Sequence, residues 1–162
     1  MHQESHQIVN SFEASYVCGK GYETILDVGS KDVNGTYADI FSNYEYTGVD
    51  VEPGNNVDII AEPYRLSRSI DKLYDVAICG NVIEHVARLE TFFIDLAHCI
   101  KHGGLLCVVT PTDIHEHRHP LDCWRILPDG LRHLLDVSSF DVLKVEVTDG
   151  QHKDLFGVAT RR

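Results

Sequence analysis

The sequence predicts an α/β domain built on a mostly parallel sheet covered by helices on both faces. Three observations carry this. Apolar runs of strand length alternate with amphipathic stretches of helical spacing. The run "LLCVVTP" is apolar almost throughout, as a buried parallel strand requires. The 162 residues suffice for one well-buried core and are too few for two ordinary domains, so residues 1–162 are expected to form a single unit.

Taken in order, Val9 to Val17 reads as a leading helix. Thr24 to Val28, "TILDV", is the first strand, and Thr36 to Ser42 reads as a helical piece. Tyr46 to Asp50, "YTGVD", and Val57 to Ala61, "VDIIA", are the second and third strands. Tyr74 to Gly80, "YDVAICG", is the fourth. From Leu89 to Lys101 the apolar residues Leu89, Phe92, Phe93, Leu96, Ala97 and Ile100 recur at helical spacing, and "HGG" is expected to end that helix before the fifth strand, "LLCVVTP". "TDIHEHRHPLDCWRI" is polar, rich in histidine and too long for a tight turn, which marks it as an exposed or functional loop. "LPDGLRHLLD" begins with proline and acid, as helices do. "FDVLKVEVTD" alternates like a half-buried strand, and "KDLFGVATRR" follows a turn at Asp149 and Gly150 closely enough to pair antiparallel with it.

Composition narrows the function. At 43% hydrophobic and 24% charged residues the chain has a globular balance, and no apolar run approaches the roughly 20 residues of a membrane span. The N-terminus lacks the sectors of a secretory signal, so a cytoplasmic location is expected. A formal charge of -11 repels a polyanion at long range and disfavours nucleic acid as a partner. Five cysteines, an odd number with no CxxC pair, indicate neither a disulfide framework nor a zinc ribbon.

In an open parallel sheet, ligands bind beyond the carboxyl ends of the strands. The first strand ends in Asp27, Val28, Gly29 and Ser30, where a glycine lets backbone approach a ligand. A strand-to-helix turn also wants glycine for steric reasons alone. Asp50 closes the second strand 21 positions after Gly29 (50 minus 29), the offset at which an acid takes ribose hydroxyls in nucleotide-binding sheets. The three glycines of a dinucleotide fingerprint are missing, since Ser30, Lys31, Asp32 and Val33 fill their place. A ligand without phosphates fits better, and Asp27 and Asp32 suit a cationic ligand end. The scarce glycines weigh against a nicotinamide enzyme.

"ILDVGSKDVNG", "YTGVDVEPG", "VDIIAEPYRL", "YDVAICGNVIEHV" and "HGGLLCVVTP", in that order, resemble the successive motifs of the class I S-adenosylmethionine-dependent methyltransferases. The likeness is close from Glu23 to Pro111. It implies a seven-stranded Rossmann-like sheet of order 3-2-1-4-5-7-6 with the last strand antiparallel. It further implies S-adenosylmethionine as cofactor, with S-adenosylhomocysteine as product. The positions it implies for cofactor contact are Asp27, Val28, Gly29, Ser30, Asn34, Asp50, Val51, Glu62, Pro63, Asn81 and Val82. Among these, Asp27 and Gly29 would lie near the methionine part, Asp50 would hold the ribose and Glu62 would approach the adenine amine. The chain departs from the family's commoner pattern, with Lys31 where a second glycine usually stands and Asn34-Gly35 as the later turn.

Two constellations face the acceptor side. Glu84-His85 follows the fourth strand, and an imidazole with an unperturbed pKa of about 6.5 suits His85 to take a proton from a hydroxyl or amine. The bland reading is that the same pair caps and orients the helix start. His119 is the second candidate catalytic residue. His115, His117 and His119 alternate, so an extended segment would point them one way, with Asp122 or Cys123 available to complete a metal site. A solvated loop is one alternative, and an acceptor-binding lid is the other. "HPLDCWRILPDGLRHLL" resembles a segment that recurs after strand five in small bacterial and viral relatives, which favours the lid. His115, His117, Asp122, Trp124 and Arg125 are therefore the candidate acceptor-binding residues, and no metal is assigned.

The resemblance implies methyl transfer to an oxygen or nitrogen of a small-molecule or glycan-like acceptor. A noncatalytic cofactor-binding or scaffolding subunit is the competing reading. The brevity of the chain leaves room for a second copy or a partner protein to complete the site.

Overall fold

The computed structural model describes residues 3–149 and 152–162. Seven strands form one sheet of order β3-β2-β1-β4-β5-β7-β6. They are β1 (Thr24–Val28), β2 (Glu45–Asp50), β3 (Ile59–Ile60), β4 (Tyr74–Gly80), β5 (Ile100–Pro111), β6 (Phe140–Val147) and β7 (Asp154–Arg161). β1 to β5 pair in parallel, and β7 runs antiparallel to both β5 and β6. The helices are α1 (Gln3–Phe12), α2 (Leu66–Ser69), α3 (Leu89–Ala97) and α4 (Pro128–Val137).

Strand periodicity divides the core in two. Leu26, Ala77, Leu106, Leu155 and Ala159 face α3 and α4, where Phe92, Phe93, Leu96, Leu131 and Leu135 are fully or almost fully buried. Their neighbours Ile25, Val76, Ile78, Cys107, Val109, Phe156 and Val158 face the other way, against Val9 and Phe12 of α1 and against Phe41. Cys79 and Cys107 are buried in these layers as reduced core residues. Asp75 ties the sheet at its lower end by accepting bonds from Glu23 N (3.0 Å), Thr24 N (3.0 Å), the Thr24 hydroxyl (2.8 Å) and Lys101 Nζ (2.7 Å).

The expected elements recur with four differences. The leading helix starts earlier, and its last turn, Glu13–Val17, widens to a π-turn. Thr36 to Ser42 forms turns, not a helix. The Thr36 hydroxyl accepts the Ala38 N–H (3.0 Å), and i to i+3 bonds at Ile40 and Tyr44 close tight turns that drive Tyr37 and Phe41 inward. The third strand shrinks to two residues because Val57 is taken up in a turn on Gly54. The helix from Leu89 stops at Ala97, and β5 begins at Ile100, so that "HGG" lies inside the strand. The register there jumps from Tyr74↔Ile100 to Val76↔Leu105, which bulges His102 and Gly103 outward, with Gly103 at a φ of +77°, while Gly104 stays buried. Of the turn expected at Asp149 and Gly150, Gly150 lies outside the described residues. No helix among the described residues is long and apolar enough to cross a membrane.

Candidate active site

The carboxyl ends of β1, β2, β4 and β5 form one rim, and two polar clusters stand on it. The first is built around the turn after β1. Gly29 adopts a φ of +81°, which an L side chain rarely tolerates, and a Cβ there would stand 2.1 Å from Val82 Cγ2. Gly29 N and Ser30 N both donate to Val49 O, at 2.8 and 3.2 Å, so the turn is clamped to β2. Asp27 lies beneath it, 2% exposed, with its carboxylate accepting the Tyr46 hydroxyl. Burial pushes the Asp27 carboxyl up to about 7; the Tyr46 bond opposes this and the nearby Asp50 charge adds to it.

Asn56 staples the region. Its side-chain Nδ2 lies in hydrogen-bonding reach of Ser30 O (3.1 Å), Thr36 Oγ1 (2.9 Å) and the Tyr46 hydroxyl (3.0 Å), while its backbone carbonyl accepts the Ser30 hydroxyl (2.8 Å). Sequence reasoning missed Asn56, although "PGNN" signals a turn whose asparagine can take the positive φ of 67° it adopts. It missed Tyr37 and Tyr46 too, since each sits in a stretch read only for secondary structure.

Asp27, Gly29, Ser30, Gly35, Thr36, Tyr37, Gly80 and Asn81 enclose a cavity of about 90 Å³. Tyr37 closes it by lying on Gly80, where a Cβ would meet its hydroxyl at 2.5 Å. The Tyr37 hydroxyl and Asn81 Oδ1 are both buried without a hydrogen-bond partner. Asn81 holds a left-handed φ of 57°, and its amide nitrogen reaches Ser5 of α1 at 3.3 Å.

Of the positions implied for cofactor contact, Asp27, Gly29, Ser30 and Asn81 meet in this cavity, and Val82 packs on Gly29. Asp50 stands on the outer side of the turn, where its carboxylate accepts Lys31 N (3.2 Å) and Glu52 N (3.1 Å). Val28 is turned into the core. Asn34, Val51 and Glu62 are exposed, and Pro63 is half-buried.

The second cluster joins the turn after β4 to the histidine-rich loop. Glu84 is fully buried in the 3₁₀ turn Ile83–His85. Thr110, at the end of β5, donates to its Oε2 at 3.0 Å, whereas Oε1 has no hydrogen bond. Burial raises the Glu84 carboxyl to about 7 against hydrogen bonding to it and the attraction of His117 and Arg125. The Glu84 carbonyl accepts Cys123 N (2.7 Å) and Trp124 N (3.3 Å), fastening the loop from beneath.

His85 Nδ1 lies 2.6 Å from Leu121 O; a carbonyl only accepts, so Nδ1 carries the proton and Nε2 is a free lone pair in the neutral ring. Burial holds the His85 pKa below its ordinary value. Arg125 grips both oxygens of Asp122 (2.6 and 2.8 Å) and the carbonyls of Ile114 and His115 (both 3.2 Å), and its guanidinium keeps the Asp122 carboxyl well below the usual range. Asp122 in turn accepts the His117 backbone N–H at 2.7 Å. Trp124 Nε1 donates to Val86 O at 2.9 Å.

The loop is therefore a folded strap, not an extended segment. His85, His117 and His119 meet, with ring centroids 4.9 Å (His85 to His117), 5.6 Å (His85 to His119) and 6.2 Å (His117 to His119) apart. His115 contributes its carbonyl to Arg125 and makes no ring contact with the others. The alternating triplet thus delivers two of its three imidazoles to the site, because the Asp122–Arg125 pair curls the chain between them.

A sheet of this order, with a glycine turn between acids at the ends of β1 and β2, is the fold of the class I S-adenosylmethionine-dependent methyltransferases. Solved structures with this fold are similar to the chain over nearly its whole length. A SAM-dependent methyltransferase from Archaeoglobus fulgidus superimposes with a TM-score of 0.69 at 16% identity, over 96% of this chain and 94% of that one. The 1,6-didemethyltoxoflavin-N1-methyltransferase of Burkholderia thailandensis, solved with bound 1,6-didemethyltoxoflavin and S-adenosylhomocysteine, gives 0.72 at 12% identity, over 98% and 77%. In sequence, the chain is 50% identical over 40 residues to the ubiquinone biosynthesis O-methyltransferase of Rickettsia prowazekii (strain Madrid E). That match spans 25% of this chain and only 16% of the relative's length. No family model matches the chain.

Proposed function

We propose that this protein is an S-adenosylmethionine-dependent methyltransferase acting on an oxygen or nitrogen of a small-molecule or glycan-like acceptor. The carrying observation is the pair of buried, unpartnered polar atoms, the Tyr37 hydroxyl and Asn81 Oδ1, beside Asp27 at the mouth of the sheet. Buried polar atoms of native proteins pair with protein, ordered water or a ligand, so this pair offers a donor and an acceptor to whatever occupies the cavity. The fold and the short likeness to an O-methyltransferase support the same reading.

When bound, the cofactor supplies an electrophilic methyl whose C–S bond breaks, with its electron pair going to sulfur, as the acceptor's lone pair bonds to carbon. The chain's own part is positional and electrostatic. Ionised Asp27 attracts the sulfonium, Asp50 takes the ribose hydroxyls, and the strap shuts out water while holding the acceptor in line. His85 or His119 receives the acceptor's proton. Ligand pockets typically enclose about 300–1,000 Å³, and this cavity, at about 90 Å³, is too small for a whole nucleoside. Admitting a nucleoside requires Tyr37 to lift from Gly80, and its hydroxyl then becomes available to the ligand.

The test is thermal stabilisation by S-adenosylmethionine and S-adenosylhomocysteine, followed by transfer of labelled methyl to a panel of phenols, sugars and amines. Ligand at about 100 times its Kd should add about 2.7 kcal/mol of stability. No stabilisation by either compound would refute the reading. Binding without turnover on any acceptor, alone or in complex, would move the protein to a cofactor-binding subunit.

A further inference from the structure

We infer that Glu84, His85 and His117 form a binding site for a divalent transition-metal ion, zinc first among them, on the acceptor side of the cleft. One donor atom from each of these residues lies within 4.8 Å of the other two. His85 Nε2 and His117 Nε2 stand 3.8 and 4.0 Å from Glu84 Oε1. Around a tetrahedral zinc, with bonds of about 2.0–2.2 Å, donors lie about 3.4 Å apart. The three side chains therefore need only a small contraction, and neither of the strands that carry the site has to move.

Three features beyond proximity point to an ion. Glu84 Oε1 is wholly buried and has no hydrogen-bond partner, yet it is aimed at the two imidazoles. Its other oxygen is fixed by Thr110, so the carboxylate is held in one orientation. Each imidazole also has an acceptor behind its far nitrogen: Leu121 O at 2.6 Å from His85 Nδ1, and His115 O at 3.3 Å from His117 Nδ1, with Asp122 Oδ2 at 3.5 Å beside it. An outer partner of this kind sets the tautomer that presents Nε2 as a lone pair, and it is the usual second layer around a metal-bound histidine. One oxygen and two nitrogens suit zinc and its first-row neighbours better than magnesium or calcium, which prefer oxygen alone.

Three protein donors leave a coordination position open for water or for an acceptor oxygen. His119, whose ring stands beside both imidazoles, then remains as the proton acceptor while His85 holds the ion. An acceptor hydroxyl bound at the open position would ionise more readily, which favours an oxygen nucleophile over an ammonium. That consequence rests on the transferase reading, but metal binding itself does not.

The experiment is calorimetric titration of tag-free, chelator-treated protein with Zn²⁺, together with the visible spectrum of the Co²⁺ form, in the absence of any methyl donor. One ion per chain is expected. His117→Ala, at a half-buried position whose loss the fold should tolerate, should weaken binding at least about a hundredfold, and Asp122→Asn by about 10–100-fold. Glu84→Gln should abolish tetrahedral Co²⁺ absorption, and His133→Ala, on an exposed face of α4, should change nothing. Absence of binding, or binding that His117→Ala and Glu84→Gln leave unaltered in proteins of unchanged circular dichroism, would overturn the proposal. Metal binding without cofactor binding would overturn the transferase reading alone, and the reverse would overturn the metal site alone.

Discussion

Replacing Asp27 by asparagine isolates the charge assigned to the sulfonium. Burial pushes the Asp27 carboxyl up to about 7, with only the Tyr46 hydroxyl against it and with Asp50 nearby. A cation needs the ionised form, so its apparent affinity scales with the ionised fraction. For a pKa of about 7 that fraction is about one-eleventh at pH 6 and about ten-elevenths at pH 8, so S-adenosylmethionine should bind about tenfold more tightly at pH 8. S-adenosylhomocysteine lacks the sulfonium charge and keeps only its α-ammonium as a cation, so its affinity should rise much less across this range. In Asp27→Asn both ligands should be flat. Calorimetry with the two ligands from pH 6 to 8, in wild type and variant, reads the effect directly. Folding stability carries the opposite sign. The folded pKa of Asp27 is raised above its unfolded value of 3.8, so its contribution is fully present below about pH 4 and is lost as the pH rises through 7. Without ligand, Asp27→Asn should therefore gain on wild type in melting temperature between pH 6 and pH 8. Parallel pH profiles for the two ligands, or a slope for S-adenosylmethionine that survives in Asp27→Asn, would refute the reasoning.

Gly29→Ala adds a methyl 2.1 Å from Val82 at a φ of +81°; left-handed strain and overpacking together should cost about 2–4 kcal/mol by urea denaturation. Val82→Ala in the same chain should recover only the steric part, and a single variant as stable as wild type would contradict the packing described. Asp75→Asn should cost about 1.5–3 kcal/mol at neutral pH, since it breaks a charged bond to Lys101 and perturbs three others. Burial alone would raise the Asp75 carboxyl, but Lys101, the Glu23 and Thr24 N–H groups and the Thr24 hydroxyl hold it at about 2. Its contribution is thus present above about pH 4 and lost as the pH falls through 2, so the difference between wild type and variant should shrink on acidification. A difference that does not change with pH would show that the charge is not what matters there.

The sheet was legible because its strands are buried on both faces, so that "TILDV" and "YDVAICG" end where their apolar runs end. Thr36 to Ser42 misled because Tyr37 and Phe41 have the spacing of a helix face, although a hydroxyl and tight turns had already claimed the backbone. The acids of the site were visible as strand-end punctuation. Tyr37, Tyr46, Asn56 and Thr110 were not, because each acts through a partner 19 or more residues away or closes a cavity that no local pattern encodes. The histidines were legible as a cluster but not in their grouping. Alternation assumes an extended chain, and the Asp122–Arg125 pair bends it so that His85, from another segment, takes the place alternation gave to His115.

Trp124 is the sole tryptophan of the chain, and it is pinned by its indole N–H to Val86, next to Glu84 and His85. The protein thus contains its own optical gauge. Emission from that one ring should change if the strap shifts, so binding of the proposed ion or acceptor is expected to be readable in stopped flow without attaching a dye.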